Sequence, residues 1–190
     1  MNKWILVFLV LGVLAISGCT QNVKTSTQPG IESTEVFVPE DEDILSWVSV
    51  KTFQAPDAFG PPQSAGYVNL AVFFIGEPLT SSPQIQIWQI VFPDACTSLN
   101  QECKDVLKAE FLSGEATEFN ITGEKDLIVD GRSAYEIEVN FTEDGVERKQ
   151  KVVNIKGTNW DHQIVFLADA DIYDQYVASV DSSIASMEFI

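Results

Sequence analysis

Tyr135-Glu136-Ile137-Glu138-Val139-Asn140-Phe141-Thr142-Glu143-Asp144-Gly145-Val146-Glu147-Arg148-Lys149-Gln150-Lys151-Val152-Val153-Asn154-Ile155 is the stretch that decides the fold class. Tyr135, Ile137, Val139 and Phe141 point one way, while Glu136, Glu138 and Asn140 point the other. That is the two-residue period of a strand with one apolar face. Asp144-Gly145 supplies the positive φ values of a type I′ turn. A two-residue turn there pairs Glu143 with Val146, sets Glu138 opposite Lys151 and sets Ile137 opposite Val152. Charge and apolarity both match across that register, which favours it over its one-residue slips.

On the C-terminal side, Trp160 to Ala168 reads as a strand covered on both faces. Trp160, Ile164 and Phe166 share one face, and Val165 and Leu167 the other. A helix follows from about Ile172, with Tyr173, Tyr176, Val177, Val180, Ile184 and Met187 as its buried stripe. Asp181 lies off that stripe and reads as surface. Asp171 reads as the helix cap, with Asp174 in the first turn facing the positive end of the helix dipole.

On the N-terminal side, Tyr67 to Ile75 is a nearly continuous apolar run, as in a buried strand. Gln84 to Phe92 alternates Ile85 and Ile87 against Gln84 and Gln86. Between this strand and the hairpin, Leu99, Cys103, Val106, Leu107 and Phe111 form one helical stripe, which Gly114 closes. Strands joined by hairpins, with helices between or after them, make an α+β single domain, a central antiparallel β-sheet flanked by helices.

That domain spans residues 44–190, about 145 residues, enough for one proper core. No internal repeat occurs. Residues 19–43 form a polar tether ending in the self-repelling block Glu40-Asp41-Glu42-Asp43, with Glu35-Val36-Phe37-Val38 as an extra edge strand.

The first eighteen residues read as an export signal: Lys3 gives a positive start, and Trp4 to Ile16 is apolar apart from Gly12. Thirteen residues fall short of the roughly 20 that a helix needs to span a bilayer. Ile16-Ser17-Gly18-Cys19 resembles the lipobox of prokaryotic lipoproteins. The resemblance implies acylation of the Cys19 thiol, cleavage before it, and a lipid-anchored protein facing outside the cytoplasm. Cleavage removes Lys3, so 11 Lys and Arg become 10 against 28 Asp and Glu, a net charge of −18. So acidic a chain does not bind nucleic acid through phosphate neutralisation, and its membrane attachment rests on acyl chains rather than on a basic patch.

With Cys19 lipidated, Cys96 and Cys103 remain as a pair in an oxidising compartment. Seven residues along one helix separate Cα atoms by roughly 10 Å, too far for a bridge. A disulfide therefore requires Cys96 to precede the helix and fold back on it, and Ser98-Leu99-Asn100-Gln101 reads as the capping box that starts the helix there. Two buried thiols are the alternative. A metal site lacks ligands, because the only histidine is His162 and no third sulfur is free.

Several segments together resemble the PsbP-like family, whose founding member is the extrinsic subunit of the oxygen-evolving complex. They are the Ile-rich strand, the Ser-Leu helix start, the turn Val129-Asp130-Gly131-Arg132-Ser133-Ala134, the long hairpin, the aromatic strand ending in Ala168, and the closing Ile184…Ser186-Met187-Glu188-Phe189. The resemblance covers residues 83–190. Residues 44–66 depart from it, with Phe53-Gln54-Ala55-Pro56 where the family has Tyr-Pro-x-x-Trp. It implies an α/β/α sandwich and a largely non-enzymatic accessory or binding role on a membrane surface. It carries over no functional residue. Photosystem II binding is not implied, because that depends on basic residues this acidic chain lacks.

The sequence holds no catalytic constellation and implies no cofactor. A lone histidine on an apolar strand, such as His162, reads as a hydrogen-bonded core residue. No nucleophile elbow and no phosphate-cradling loop occurs. Asp169-Ala170-Asp171-Ile172-Tyr173-Asp174 lacks the glycine and the distal Glu of a calcium loop. Asn120-Ile121-Thr122 and Asn140-Phe141-Thr142 are N-glycosylation sequons. The expected function is a lipid-anchored, non-enzymatic module that binds an unidentified protein or small molecule. The alternatives are a solute- or ion-binding lipoprotein and a carboxylate-dependent hydrolase, which would need paired acids in a cleft.

Overall fold

The computed structural model describes residues 44–64, 69–76, 83–112 and 119–190. The signal segment, Cys19, the tether and Gly114 lie outside the described residues. The elements run α1 (Ile44–Trp47), β1 (Val50–Thr52), β2 (Leu70–Phe74), β3 (Gln84–Ile90), α2 (Gln101–Leu112), β4 (Asn120–Val129), β5 (Arg132–Glu143), β6 (Val146–Ile155), β7 (Asp161–Asp169), α3 (Ala170–Ala185) and β8 (Glu188–Phe189).

β5 and β6 pair in the register the sequence dictates, with Glu143 opposite Val146, Glu138 opposite Lys151 and Ile137 opposite Val152. Asp144 and Gly145 adopt φ of 51° and 79° in the turn. Asp130 and Gly131, at 49° and 72°, repeat the same turn between β4 and β5. The six-stranded sheet has the order β2-β3-β7-β6-β5-β4, and every neighbouring pair is antiparallel. A second, two-stranded sheet joins β1 to β8, so the two ends of the domain meet.

One face of the large sheet presents Phe73, Ile85, Ile87, Val153, Ile164 and Phe166 to α3, which buries Tyr173, Val180 and Ile184 against them. On the other face, Tyr135, Ile137, Val139 and Phe141 cluster with Leu167 and Leu99. α2 lies on that side, held at β4 by Lys104 on Asp126 and Lys108 on Glu124. Cys96 and Cys103 are joined in a disulfide with Cα atoms 4.7 Å apart. Cys96 precedes α2 and folds back on its first turn.

Four local readings are corrected. The cap of α2 is Asn100, not Ser98: its Oδ1 accepts the Cys103 N–H at 3.0 Å, satisfying a donor that has no partner within the helix. α3 starts at Ala170 with Asp169 at its cap, so Asp171 lies inside the first turn. Trp160 precedes β7 and is exposed. The buried Asp161 carboxylate accepts the backbone N–H groups of Phe92 at 2.9 Å and Gly157 at 3.0 Å, which anchors the strand one residue later. Asp181 is not bare surface, because it accepts a hydrogen bond from Lys151. β4 and the β1–β8 pair were not read from the sequence at all.

Candidate functional site, a polar cleft beside helix α3

The polar side of the hairpin becomes a site because α3 covers only part of it. Cross-strand pairing places Glu136, Glu138 and Asn140 of β5 beside Lys149 and Lys151 of β6. An irregularity between Ile121 and Gly123 breaks the register of β4 at this level. A cleft of about 240 Å³ remains, lined among others by Thr122, Glu138, Asn140, Lys149, Tyr173 and Asp174.

Lys151 sits at the root of this arrangement through its contact with Glu138, one of the lining residues. Its side chain is 1% exposed, and its ammonium is 3.5 Å from Glu136, 3.2 Å from Glu138 and hydrogen-bonded to Asp181. Burial pulls its pKa down, but the Asp181 hydrogen bond and the charges of Glu136, Asp181 and Glu138 more than reverse that, leaving it above the ordinary lysine range. It is a fixed cation rather than a free amine nucleophile.

Tyr173 forms the inner wall. The residue is 5% exposed, its ring stacks on Phe166 at 5.0 Å, and its buried hydroxyl has no hydrogen-bond partner. Burial first, then the charges of Glu138, Asp181, Glu136 and Asp174, push the phenol pKa far up. The hydroxyl therefore keeps its proton. Lys149 reaches across the opening, with Nζ 3.2 Å from Asp174 and 5.4 Å from the Tyr173 ring centre.

The residues singled out in the sequence are dispersed around this cleft. Asn140 lines it, and Asn120, exposed, is the cross-strand partner of Asn140. The disulfide belongs to the opposite side of the sheet. His162 is sealed in the core at the other end of β7, its Nε2–H donating to the Val48 carbonyl at 2.8 Å. Two of the acids at the start of α3 face cations: Asp169 faces Arg148, and Asp174 faces Lys149. Among the described residues, no group of three or more His, Cys, Asp and Glu could hold a metal ion, and no helix is long and apolar enough to cross a membrane.

Sequence reasoning paired Glu138 with Lys151 but missed Tyr173 and Asp181 as their neighbours. The signal was available in part. Tyr173 and Asp181 are eight residues apart, about two helical turns, so both reach the same side of α3.

No protein-family model and no curated protein sequence matches this chain. Among solved structures it is similar to cyanobacterial PsbP from Synechocystis sp. PCC 6803, with 16% identity over 73% of this chain and 85% of that one and a TM-score of 0.51. It is also similar to the Ran-binding protein Mog1p of Saccharomyces cerevisiae, with 9% identity over 74% of this chain and 90% of that one and a TM-score of 0.52. At such identities the likeness concerns the backbone architecture alone. The chain has the α+β fold of the Mog1 and PsbP proteins, a single domain built on a six-stranded antiparallel sheet with helices packed against it.

Proposed function

We propose that this protein is a lipid-anchored, extracytoplasmic binding module without catalytic activity. In this reading, acylated Cys19 and the acidic tether of residues 19–43 hold the domain of residues 44–190 at the membrane surface. The observation that carries the binding role is the cleft beside α3. Its polar groups converge on one space, yet those fit for chemistry are engaged as counter-ions: Lys151 holds Glu136, Glu138 and Asp181 together. A carboxylate hydrolase would need two acids free to converge in the cleft, and the two that line it, Glu138 and Asp174, are each paired with a lysine. Mog1p binds Ran, as its name states, which supports extending a protein-binding use of this fold to the present chain.

Anchoring is supported by the Ile16-Ser17-Gly18-Cys19 junction. The test is Cys19→Ala in a producing cell, followed by mass spectrometry and acyl labelling. The variant should stay at the precursor mass without label, while the wild type is cleaved, labelled and found with membranes. A variant that is still processed and acylated like the wild type would overturn the anchoring.

A further inference from the structure

We propose that the cleft between β5, β6 and the first turn of α3 binds a cationic group, the protonated amine or guanidinium of a small solute or of a partner's side chain. This rests on the reading of the chain as a binding module but not on its anchoring.

Charge provides the first argument. Glu138 and Asp174 line the cleft, and Glu136 and Asp181 join Glu138 on Lys151. These four carboxylates face three ammonium groups, those of Lys149, Lys151 and the largely exposed Lys125 on Glu136. Lys151 is buried and committed to its own carboxylates. The space in front of it therefore carries excess negative charge between low-dielectric walls, which concentrate the field. The Tyr173 pKa is raised chiefly by burial, and the same four carboxylates push it in the same direction.

The second argument is the Tyr173 hydroxyl. A buried polar atom without a partner is uncommon in folded proteins and calls for an explanation. Its oxygen can accept an N–H from a bound cation while the hydroxyl keeps its own proton. An ammonium in the cleft would satisfy it. An anion would find the carboxylates repelling it, and an apolar group would leave the hydroxyl unsatisfied.

The third argument is Lys149. Its ammonium already lies over the Tyr173 ring and against Asp174, so a cation of the protein itself occupies part of this space. That side chain is tethered from the rim and partly exposed, and an incoming amine can displace it into solvent. Lys149 thus acts as an internal competitor, which makes the proposal testable by its removal.

The experiment is calorimetric titration of the full-length, acylated protein in detergent micelles. The probes are methylammonium, N-acetyl-lysine methylamide, N-acetyl-arginine methylamide, and acetate as the anion. The cations should bind saturably and acetate should not. Lys149→Met should tighten cation binding, and Tyr173→Phe should weaken it, each by about tenfold, as expected for one hydrogen bond or contact to a charged group. Thermal melts of both variants establish that each is folded, and the rim substitution at Lys149 carries the test should Tyr173→Phe not fold. Methylammonium binding as tightly as the amino-acid probes assigns the site to free amines. A preference of about tenfold or more for the amino-acid probes assigns it to a partner's side chain. Acetate binding in place of the cations, no saturable cation binding, or weaker cation binding by Lys149→Met would each overturn the proposal. Such a failure leaves the Cys19 result untouched, and an unacylated protein that still binds the probes leaves this site standing.

Discussion

Replacing Lys151 with methionine removes the one cation that Glu136, Glu138 and Asp181 share. Two of its contacts are 3.2 and 3.5 Å long. At an effective dielectric of about 20, each is worth roughly 5 kcal/mol of attraction before desolvation is counted. Desolvation of the buried ammonium cancels most of that gross gain. Asp181, at 42% exposure, regains water when the lysine is gone, so its share is small. Glu136 decides the outcome, because its side chain is 6% exposed and keeps only the surface Lys125 at 2.9 Å. Removing one partner of a buried ion pair costs roughly 3–5 kcal/mol. Lys151→Met should therefore lower Tm by about 6–20 °C, at roughly 2–4 °C per kcal/mol for a domain near 150 residues. The triple variant Lys151→Met, Glu136→Gln, Glu138→Gln removes the charges together and should recover more than half of the loss. Asp181→Asn alone should cost about 1 kcal/mol or less. Circular dichroism melts of the four proteins provide the assay. If Lys151→Met melts within a degree or two of wild type, the carboxylates reach water unaided and the electrostatic account of this interior is wrong.

Three further outcomes are expected. Val180→Asp places a charge at a fully buried position under α3 and should cost several kcal/mol in urea unfolding, and a near-wild-type midpoint would contradict the helix packing. Gly157→Ala would bring a Cβ to 1.7 Å from the Trp160 carbonyl oxygen, so the loop must shift, at about 3 kcal/mol; Gly60→Ala, whose Cβ meets its nearest atom at 3.6 Å, is the mild control. Burial holds the His162 pKa below its ordinary value of 6.5; the hydrogen bond to Val48 and the charge of Asp161 oppose this, and Arg132 reinforces it. The unfolded chain therefore binds the proton first. The stability contributed by His162 is complete above about pH 6.5 and is lost as pH falls through the lowered value. Melts from pH 5 to 8 should show this loss in the wild type and a flatter curve in His162→Asn; parallel curves would count against it.

The parts of the fold that were legible are those where local chemistry and burial agree. The Asp144-Gly145 turn and the alternation around it set the β5–β6 register without outside help. β4 escaped because it is a solvent-facing edge strand, mostly exposed from Asn120 to Leu127, so no apolar period marks it. The Asp130-Gly131 turn could have revealed it, having the same two residues in the same conformation as the central hairpin. β1 and β8, three and two residues long, are too short to carry a period, and only their pairing defines them. The cleft was hidden for a different reason. Glu138 opposite Lys151 was readable as a surface pair, but the sequence does not say that α3 roofs that side and delivers Tyr173 and Asp181 to it.

The β1–β8 pair bears on the order in which the chain assembles. Lys51 and Glu188, joined across it, are 137 residues apart. The strands β4 to β7, in contrast, follow one another with each neighbour next in sequence. Closing a loop of that length carries an entropy of roughly 4 kcal/mol on a logarithmic scale, whereas the two Asp-Gly turns close almost at once. The four-strand meander is therefore the natural nucleus, and docking of the two termini is a late event. Read backwards, the same asymmetry makes the seam where the chain enters and leaves the domain the first place to open. Hydrogen exchange should find the backbone amides of β1 and β8 fast while those of β6 and β7 stay protected, and a pull on the N-terminal segment would part this seam before it disturbed the central sheet.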